Sequence, residues 1–278
     1  MKAPQFDYVR PATLHDAFAV LQQHGESARI LAGGQSLVPM LNLRLVRPSL
    51  IVDISAIAEL RAWDNAGGSL HLGGRVTHAM AEDGRIPDMH KGYLAHVAAG
   101  IAYRAVRNRG TMAGSLSHAD PAADWPTALA AADAELVVGS ARGTRAIPSI
   151  EFAKGPFSTD LAADELVTSI RIPARSEDMR WTYQKQARKA GEFALSIVAI
   201  MLDRPSGYAR VAIGGLSGGP VLLRGAARTL LSAGKKADLD RCDMDWAYQV
   251  LAAETTSCDS IRMRIHAATL CRAMRGIW

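Results

Sequence analysis

The pattern of hydrophobic and polar positions predicts short helices and strands in the first quarter of the chain. Thr13 to Asp16 resembles a capping box, with Asp in the place of the usual Glu, and opens an amphipathic helix that ends at Gly25. The next segment, ARIL, predicts a buried strand, SLVPMLNLRL a helix or irregular turn, and SLIVDIS a second strand. Two further strands, joined through residues 65–68, are predicted by LRAWDNAGGSLHLGG.

The middle of the chain combines helical periodicity with a long unusual loop. Helices are predicted around residues 77–84 and 91–103, and the loop is predicted at residues 107–126. After it, ALAAADAELVVGS predicts a helix and then a strand, and GTRAIPS the returning strand of a hairpin. ELVTSIRIP predicts a further strand that ends at Pro173.

The last third of the chain has a different pattern. RWTYQKQAR, FALSIVAIML and YARVAIGGL predict a small three-stranded antiparallel sheet. Helical periodicity returns at residues 221–234, about 245–253 and 259–275. Strands and helices mix without regular βαβα alternation, so the pattern predicts an α+β fold with a domain boundary near residues 174–178.

Composition narrows the class of protein. The chain has 278 residues, of which 49% are hydrophobic, so it can bury a sizeable core in one large domain or two smaller ones. The net charge is +5, and the Lys and Arg residues are scattered, so we expect no nucleic-acid partner. The longest apolar run, ALSIVAIML, is too short to span a bilayer, and the N-terminus has no apolar signal-peptide core. We therefore expect a soluble, cytoplasmic protein.

The residue types that usually bind metals show no suitable spacing. Cys242, Cys258 and Cys271 form no CxxC pair, which disfavours a disulfide framework, a zinc site and an iron–sulfur ligand set and favours reduced thiols. The eight histidines have no metal-ligand spacing either. The sequence also lacks GxGxxG after a strand, GxxxxGK[ST], HExxH and GxSxG. We expect no metal site and no catalytic residue of these classes.

Two similar small-residue segments are the strongest candidates for a binding site. The first consists of Ala32, Gly33, Gly34, Gln35 and Ser36, and the second includes Thr111, Ala113, Gly114 and Ser115. Successive backbone N–H groups in such a segment can bind phosphate oxygens, and missing side chains allow a ligand to approach closely. Two such segments facing each other could hold a pyrophosphate. Either one alone is more typical of an ordinary turn than of a binding site.

Two carboxylates follow the second segment, in HADPAAD. Asp120 and Asp124 are compatible with an Asx turn and a helix N-cap before WPTALAA. Alternatively, a fixed carboxylate beside a ligand could accept hydrogen bonds from ribityl or ribose hydroxyls.

Several segments together resemble one protein family over essentially the whole chain. FDYVRPATLHDA, AGGQSLVPMLNLRL, GTMAGSLSHADPAADWPTALAAADAELVV, LVTSIRIP, YQKQARKAGEFALSIVA and IRMRIHAATLCRA occur in the same order as in the FAD-binding medium subunits of molybdenum hydroxylases. This is the carbon-monoxide-dehydrogenase and xanthine-dehydrogenase family.

The resemblance implies a fold and a domain organisation. It implies an FAD-binding domain of the vanillyl-alcohol-oxidase type at residues 1–175, built from subdomains at about 1–56 and 57–175. A smaller C-terminal domain at residues 176–278, with the three-stranded sheet and helices, is expected to follow.

The resemblance also implies a set of FAD-binding residues. Both small-residue segments would wrap the FAD pyrophosphate. Asp124 matches the acidic residue that binds the polyol region, Lys185 a lysine near the flavin ring, and Val167 a backbone contact to the ring. Ile101 and Phe193 occupy positions where the family places apolar or aromatic contacts.

Two residues depart from the family pattern. Ala113 stands where the second segment usually has its first glycine, and alanine resists positive φ. Phe193 stands where the family often has Tyr, which puts in doubt any role for a hydroxyl at the flavin.

The implied function is electron transfer within a larger oxidoreductase. A large molybdopterin subunit would hydroxylate the substrate, a small subunit with two [2Fe–2S] clusters would carry the electrons, and FAD in this chain would pass them to an external acceptor. We expect a dimer of heterotrimers, with no catalytic proton-transfer residue in this chain. The alternatives are a self-sufficient flavoprotein oxidase or reductase of the same superfamily, and a scaffold that has lost its flavin.

Overall fold

A computed structural model describes residues 2–256 and 259–278, which form a mixed helix-and-sheet fold. Its helices are α1 (Leu14–His24), α2 (Leu37–Asn42), α3 (His78–Glu82), α4 (Tyr93–Ala99), α5 (Arg104–Arg107), α6 (Met112–His118), α7 (Asp124–Ala131), α8 (Ser149–Phe152), α9 (Arg224–Ser232), α10 (Lys236–Leu239), α11 (Met244–Glu254) and α12 (Ser260–Gly276). Its strands are β1 (Asp7–Val9), β2 (Ala28–Leu31), β3 (Leu50–Asp53), β4 (Trp63–Ala66), β5 (Ser69–Gly73), β6 (Glu135–Ser140), β7 (Gly143–Pro148), β8 (Ala153–Gly155), β9 (Ser158–Thr159), β10 (Leu166–Pro173), β11 (Arg180–Gln186), β12 (Ser196–Asp203), β13 (Tyr208–Gly214) and β14 (Val221–Leu222).

The N-terminal sheet is parallel and has the strand order β1-β3-β2. Helix α1 precedes β2 and begins at Thr13, whose side chain accepts a hydrogen bond from Asp16 N, as the capping pattern predicts. Ala17 and Leu21 bury one face of α1 against this sheet. The first small-residue segment follows the carboxyl end of β2, at the edge where parallel sheets commonly bind ligands.

A second sheet is antiparallel, with the order β4-β5-β10-β6-β7. The predicted hairpin strands around residues 65–68 and the predicted strand ending at Pro173 are confirmed. The helices predicted around 77–84 and 91–103 are also present, but they are shorter, as α3 and α4. Gly84 with φ +65° ends the first one, and Gly100 caps the second.

The prediction of one long loop at residues 107–126 is wrong. Residues 112–118 form α6, with Thr111 as its N-cap and the Thr111 hydroxyl accepting from Gly114 N at 3.0 Å. Gly and Ser are weak helix formers, which hides this helix in the sequence. Burial of Met112, Ala113 and Leu116 in the core stabilises it nevertheless.

The C-terminal sheet has the predicted antiparallel strands and one addition. Its order is β11-β12-β13-β14, and the short strand β14 extends the predicted three-stranded sheet to four strands in the described part of the chain. Cys242 and Cys271 are buried and free, whereas Cys258 lies outside the described residues. Among the described residues, no helix is both long and apolar enough to cross a lipid bilayer.

Strand β12 joins two hydrophobic cores. Ile197, Ala199 and Met201 pack in the large core that contains α7 and the five-stranded sheet. The alternate residues Val198, Ile200 and Leu202 pack in a second core with helices α9, α11 and α12. Side chains on a strand alternate between its faces, so one buried strand serves both cores. This packing positions α7, which begins at Asp124, against the C-terminal sheet.

Candidate functional site

The first small-residue segment presents a run of free backbone donors. In the described part of the chain, the backbone N–H groups of Gly33, Gly34, Gln35 and Ser36 have no protein acceptor. Gly34 has φ +76°, which glycine adopts without strain. Alternation of right- and left-handed residues turns successive N–H groups toward one side, which makes this segment suitable for binding an anion.

Gly33 was expected to lack a side chain so that a ligand can approach, but the structure gives a different reason. A Cβ atom at this position would overlap the Arg109 carbonyl oxygen and lie 2.8 Å from both the Arg109 carbonyl carbon and Gly110 Cα. The close approach that glycine permits is therefore made by the protein itself. Gly33 allows the first segment to pack on the residues that precede the second one.

The second segment lies beside the first. A Cβ atom on Gly114 would stand 2.7 Å from the Thr111 hydroxyl oxygen and 3.9 Å from the Ala32 Cβ atom. Ala113 is a helical residue with negative φ, so the alanine causes no backbone strain there. The replacement of the usual glycine by Ala113 therefore does not require the segment to shift.

A cavity of about 290 Å³ opens where the two segments meet. Ala32 and Gly33 line it from the first segment and Thr111 from the second. The charged residues that line it are Asp53, Arg61, Arg75 and Arg109. Burial raises the pKa of Asp53, but hydrogen bonds from Tyr8 and Ser55 outweigh this effect, so its pKa is lowered and it stays ionised. Three arginines against one carboxylate leave the cavity with a net positive charge that favours an anionic ligand.

A larger open cavity, of about 540 Å³, lies over the five-stranded sheet. His71, Glu135 and Arg171 are among the residues that line it. None of the residues predicted for the binding site lines this cavity, so it is not the place that the sequence indicates.

A second group of predicted residues surrounds a buried ion pair. Asp124 is 5% exposed, and its two carboxylate oxygens accept from the Tyr183 hydroxyl at 2.6 Å and from Lys185 Nζ at 2.9 Å. Lys185 Nζ also donates to the carbonyl oxygen of Gly100, next to Ile101, at 3.1 Å. Burial raises the pKa of Asp124 even though Lys185 and Tyr183 oppose the rise.

The remaining predicted residues differ in exposure. Phe193 lies in the connection between β11 and β12 and is 65% exposed. Its neighbour Gly191 accepts a hydrogen bond from Ala102 N at 3.0 Å, which brings this connection next to Ile101. Val167 is buried in the core that also contains Ala113. The predicted residues thus form two groups, one at the two small-residue segments and one around Lys185.

His78 connects these two groups and was not singled out by the sequence. Its backbone N–H donates to the carbonyl oxygen of Gly110 at 2.9 Å, and its Nδ1 accepts from Trp125 Nε1 at 2.9 Å. Burial, followed by the charge of Arg107, lowers the pKa of His78 to about 4. A histidine among small apolar residues carries no spacing signal, so only the tertiary contacts identify it.

Comparisons of the sequence and of the structure with known proteins identify the same kind of relative. The sequence matches the family described as "FAD binding domain in molybdopterin dehydrogenase" over residues 4–175. It is 37% identical over 221 residues to the nicotine 6-hydroxylase medium subunit of Paenarthrobacter nicotinovorans, which covers 78% of this chain and 77% of that protein. It is 36% identical over 225 residues to caffeine dehydrogenase subunit beta of Pseudomonas sp. (strain CBB1), with 80% of this chain and 76% of that one covered. Among solved structures, a chain of Hydrogenophaga pseudoflava carbon monoxide dehydrogenase lacking the Mo-pyranopterin moiety is similar with a TM-score of 0.91 and 30% identity, covering 100% of this chain and 99% of that chain.

Proposed function

The chain belongs to the family of FAD-binding domains in molybdopterin dehydrogenases, and from this membership we propose that it is the FAD-carrying medium subunit of a molybdenum hydroxylase. The relatives named as medium or beta subunits, and the similar chain of carbon monoxide dehydrogenase, support this assignment. Its partners would be a large molybdopterin subunit and a small [2Fe–2S] subunit. We further propose the dimer of heterotrimers, the cytoplasmic location and the domain spans 1–175 and 176–278.

The run of free N–H donors beside a positive cavity is the observation that carries the proposal. A pyrophosphate needs several donors at close range and a net positive charge around it. The backbone of residues 33–36 supplies the donors, and Arg61, Arg75 and Arg109 outnumber Asp53 and supply the charge. We propose that the ADP end of FAD binds there, against the first segment and residues 111–115.

The buried ion pair suits the polyol and ring end of FAD. A carboxylate can accept about four hydrogen bonds, so Asp124 retains capacity for a ribityl hydroxyl after binding Tyr183 and Lys185. Lys185 uses two of its three N–H groups, on Asp124 and Gly100, and one remains to donate to an acceptor on the ring. Both side chains are held by the fold before any ligand arrives, which lowers the entropic cost of binding.

The other predicted residues would shape the ring environment. Ile101 and Phe193 offer apolar surface, and Val167, on β10, would offer its backbone. Phe193 has no hydroxyl, so it would pack against the ring without a hydrogen bond. FAD bound here would supply the redox chemistry that links the [2Fe–2S] partner to an external electron acceptor. The residues of this chain hold and orient the cofactor, and none of them needs to transfer a proton.

Substrate choice would reside in the large subunit. The two relatives are named for caffeine and nicotine, and the similar structure for carbon monoxide, although all three chains resemble the present one. Caffeine, nicotine and carbon monoxide differ greatly in size and chemistry. Similar electron-transfer subunits can serve all three if these subunits do not contact the substrate.

The test is to purify the full chain alone and with its two partners. We expect one FAD per chain, with molybdenum and iron only in preparations that contain the partners. A chain without FAD under both conditions would refute the proposal. Turnover of NADPH or an alcohol by the isolated chain would instead indicate a self-sufficient flavoenzyme.

A further inference from the structure

His78 lies at the junction of the two groups of predicted cofactor residues. It is the first residue of α3, and its backbone N–H, which a helix start leaves unpaired, donates to Gly110 O. Met112 N donates to Val76 O at 3.2 Å on the other side of the Thr77–Thr111 bridge. Backbone hydrogen bonds thus connect the start of α3 directly to the start of the second small-residue segment.

The His78 ring fills the space between Gly110 and Trp125. A Cβ atom on Gly110 would lie 2.8 Å from His78 Nε2 and 2.9 Å from Cδ2, so any side chain at residue 110 would displace the ring. On its other edge the ring accepts the Trp125 indole hydrogen. Trp125 is fully buried and follows Asp124, the first residue of α7.

These contacts fix the tautomer of His78. An indole nitrogen can only donate, so Nδ1 must be unprotonated to accept from Trp125. The single proton of a neutral imidazole then resides on Nε2, the edge that faces Gly110. A ring with protons on both nitrogens would place an N–H against the indole N–H and lose this bond.

The charges around the ring favour its neutral form. Arg107 of α5 is the cation that acts on it, and Glu82 of α3 pairs with Arg107 at 2.8 Å. Asp124 of α7 is bound by Lys185 and Tyr183. Burial is the larger effect against the imidazolium, since His78 is only 5% exposed.

We propose that His78 is a positioning residue for the cofactor site, whose neutral Nε2-protonated ring sets the spacing between the Gly110–Thr111 backbone and the Trp125–Asp124 start of α7. This inference rests on the proposed FAD-binding function. It predicts that the side chain is needed for the alignment of the pyrophosphate and polyol contacts rather than for direct contact with FAD.

The test compares FAD affinity in full-length variants by flavin fluorescence titration. His78→Asn retains an oxygen that can accept from Trp125, whereas His78→Leu leaves the indole N–H unpaired. We expect His78→Leu to weaken FAD binding by about tenfold or more and His78→Asn by about threefold at most. His266→Leu is the matched control, because His266 is also buried, is bonded to Ser196 Oγ at 2.8 Å, and lies on α12, whose apolar residues belong to the other core. It should lower stability without changing FAD affinity.

Nitrogen-15 NMR of the cofactor-free chain gives a readout that does not depend on FAD. We expect protonated Nε2 and unprotonated Nδ1 from about pH 8 to about pH 5.5, and a hydrogen-bonded Trp125 Nε1–H that is lost in His78→Leu. A proton on Nδ1, or a His78→Leu chain that binds FAD normally, would overturn the inference. If His78→Leu does not fold, Gly110→Ala is the second variant, because its methyl group displaces the His78 ring while His78 is retained. It should weaken FAD binding to a similar extent. Normal FAD binding by Gly110→Ala would also overturn the inference. A wild-type chain that binds no FAD would refute the proposed function itself.

Discussion

The backbone of Gly33 packs directly on the carbonyl group of Arg109, with no room for a Cβ atom between them. Gly33 and Arg109 are 76 positions apart in the chain, so their contact holds the two small-residue segments side by side. The cavity shared with Thr111 opens beside this contact, and the free N–H groups belong to the same segment.

Gly33→Ala should separate the two segments. The added methyl group meets backbone atoms of Arg109 and Gly110, which cannot rotate away, so the loop must shift. We expect FAD affinity to fall by about tenfold or more because several phosphate contacts would misalign together. Gly155→Ala is the matched control, since its Cβ would meet nothing within 4 Å. Equal FAD affinity in the two variants, measured by equilibrium titration, would disprove this account of the loop.

Gly34→Val should release FAD while the chain remains folded. Gly34 has φ +76°, and a β-branched residue there costs about 1–2 kcal/mol and displaces the local N–H groups. Gly84→Val carries the same type of backbone strain at φ +65°, with open space around it and no part in the segment. Gly34→Val should lose somewhat more stability in urea denaturation, because its Cβ would lie 3.2 Å from Leu31 Cδ1 and Val38 Cγ2, and only this variant should lose FAD. Normal flavin content in Gly34→Val would contradict the prediction.

Lys185→Met should destabilise the fold by leaving the buried Asp124 charge without its cation. Loss of one partner of a buried pair costs about 3–5 kcal/mol near neutral pH. Burial already raises the pKa of Asp124, and removal of Lys185 raises it further. The penalty is therefore present above the folded-state pKa and is relieved as the pH falls through it. Denaturation at several pH values should show this recovery, whereas Lys189→Met, at an exposed position, should change little at any pH.

The stability of the wild-type chain should depend on the protonation of His78. Its folded-state pKa of about 4 lies below the ordinary value of 6.5, so the folded state resists protonation. The stabilisation is fully present above about pH 6.5 and is lost as the pH falls toward 4, by about 3 kcal/mol at most. His78→Asn does not titrate, so the stability difference between wild type and this variant should shrink over that interval. A constant difference in free energy of unfolding would show that His78 titrates normally.

Local pattern was sufficient for much of the secondary structure. The strands of the C-terminal sheet and the β4–β5 hairpin were predictable because alternation, β-branched residues and glycine turns act over a few neighbours. The helix at Met112–His118 was not, because its weak helix formers are stabilised by burial in a core that the local sequence does not reveal. For the same reason β14 was missed, since two residues pair only because β13 is beside them.

The sequence by itself determined the family, the order of the candidate binding residues and their chemical types. Only the tertiary structure decided why Gly33 must be glycine, because its neighbour Arg109 is distant in the chain. It also decided that Asp124 pairs with Lys185, 61 positions away, and that His78 bonds to Trp125, 47 positions away. Contacts of this kind depend on how sheets and helices pack, and packing is a property of the whole chain rather than of any segment.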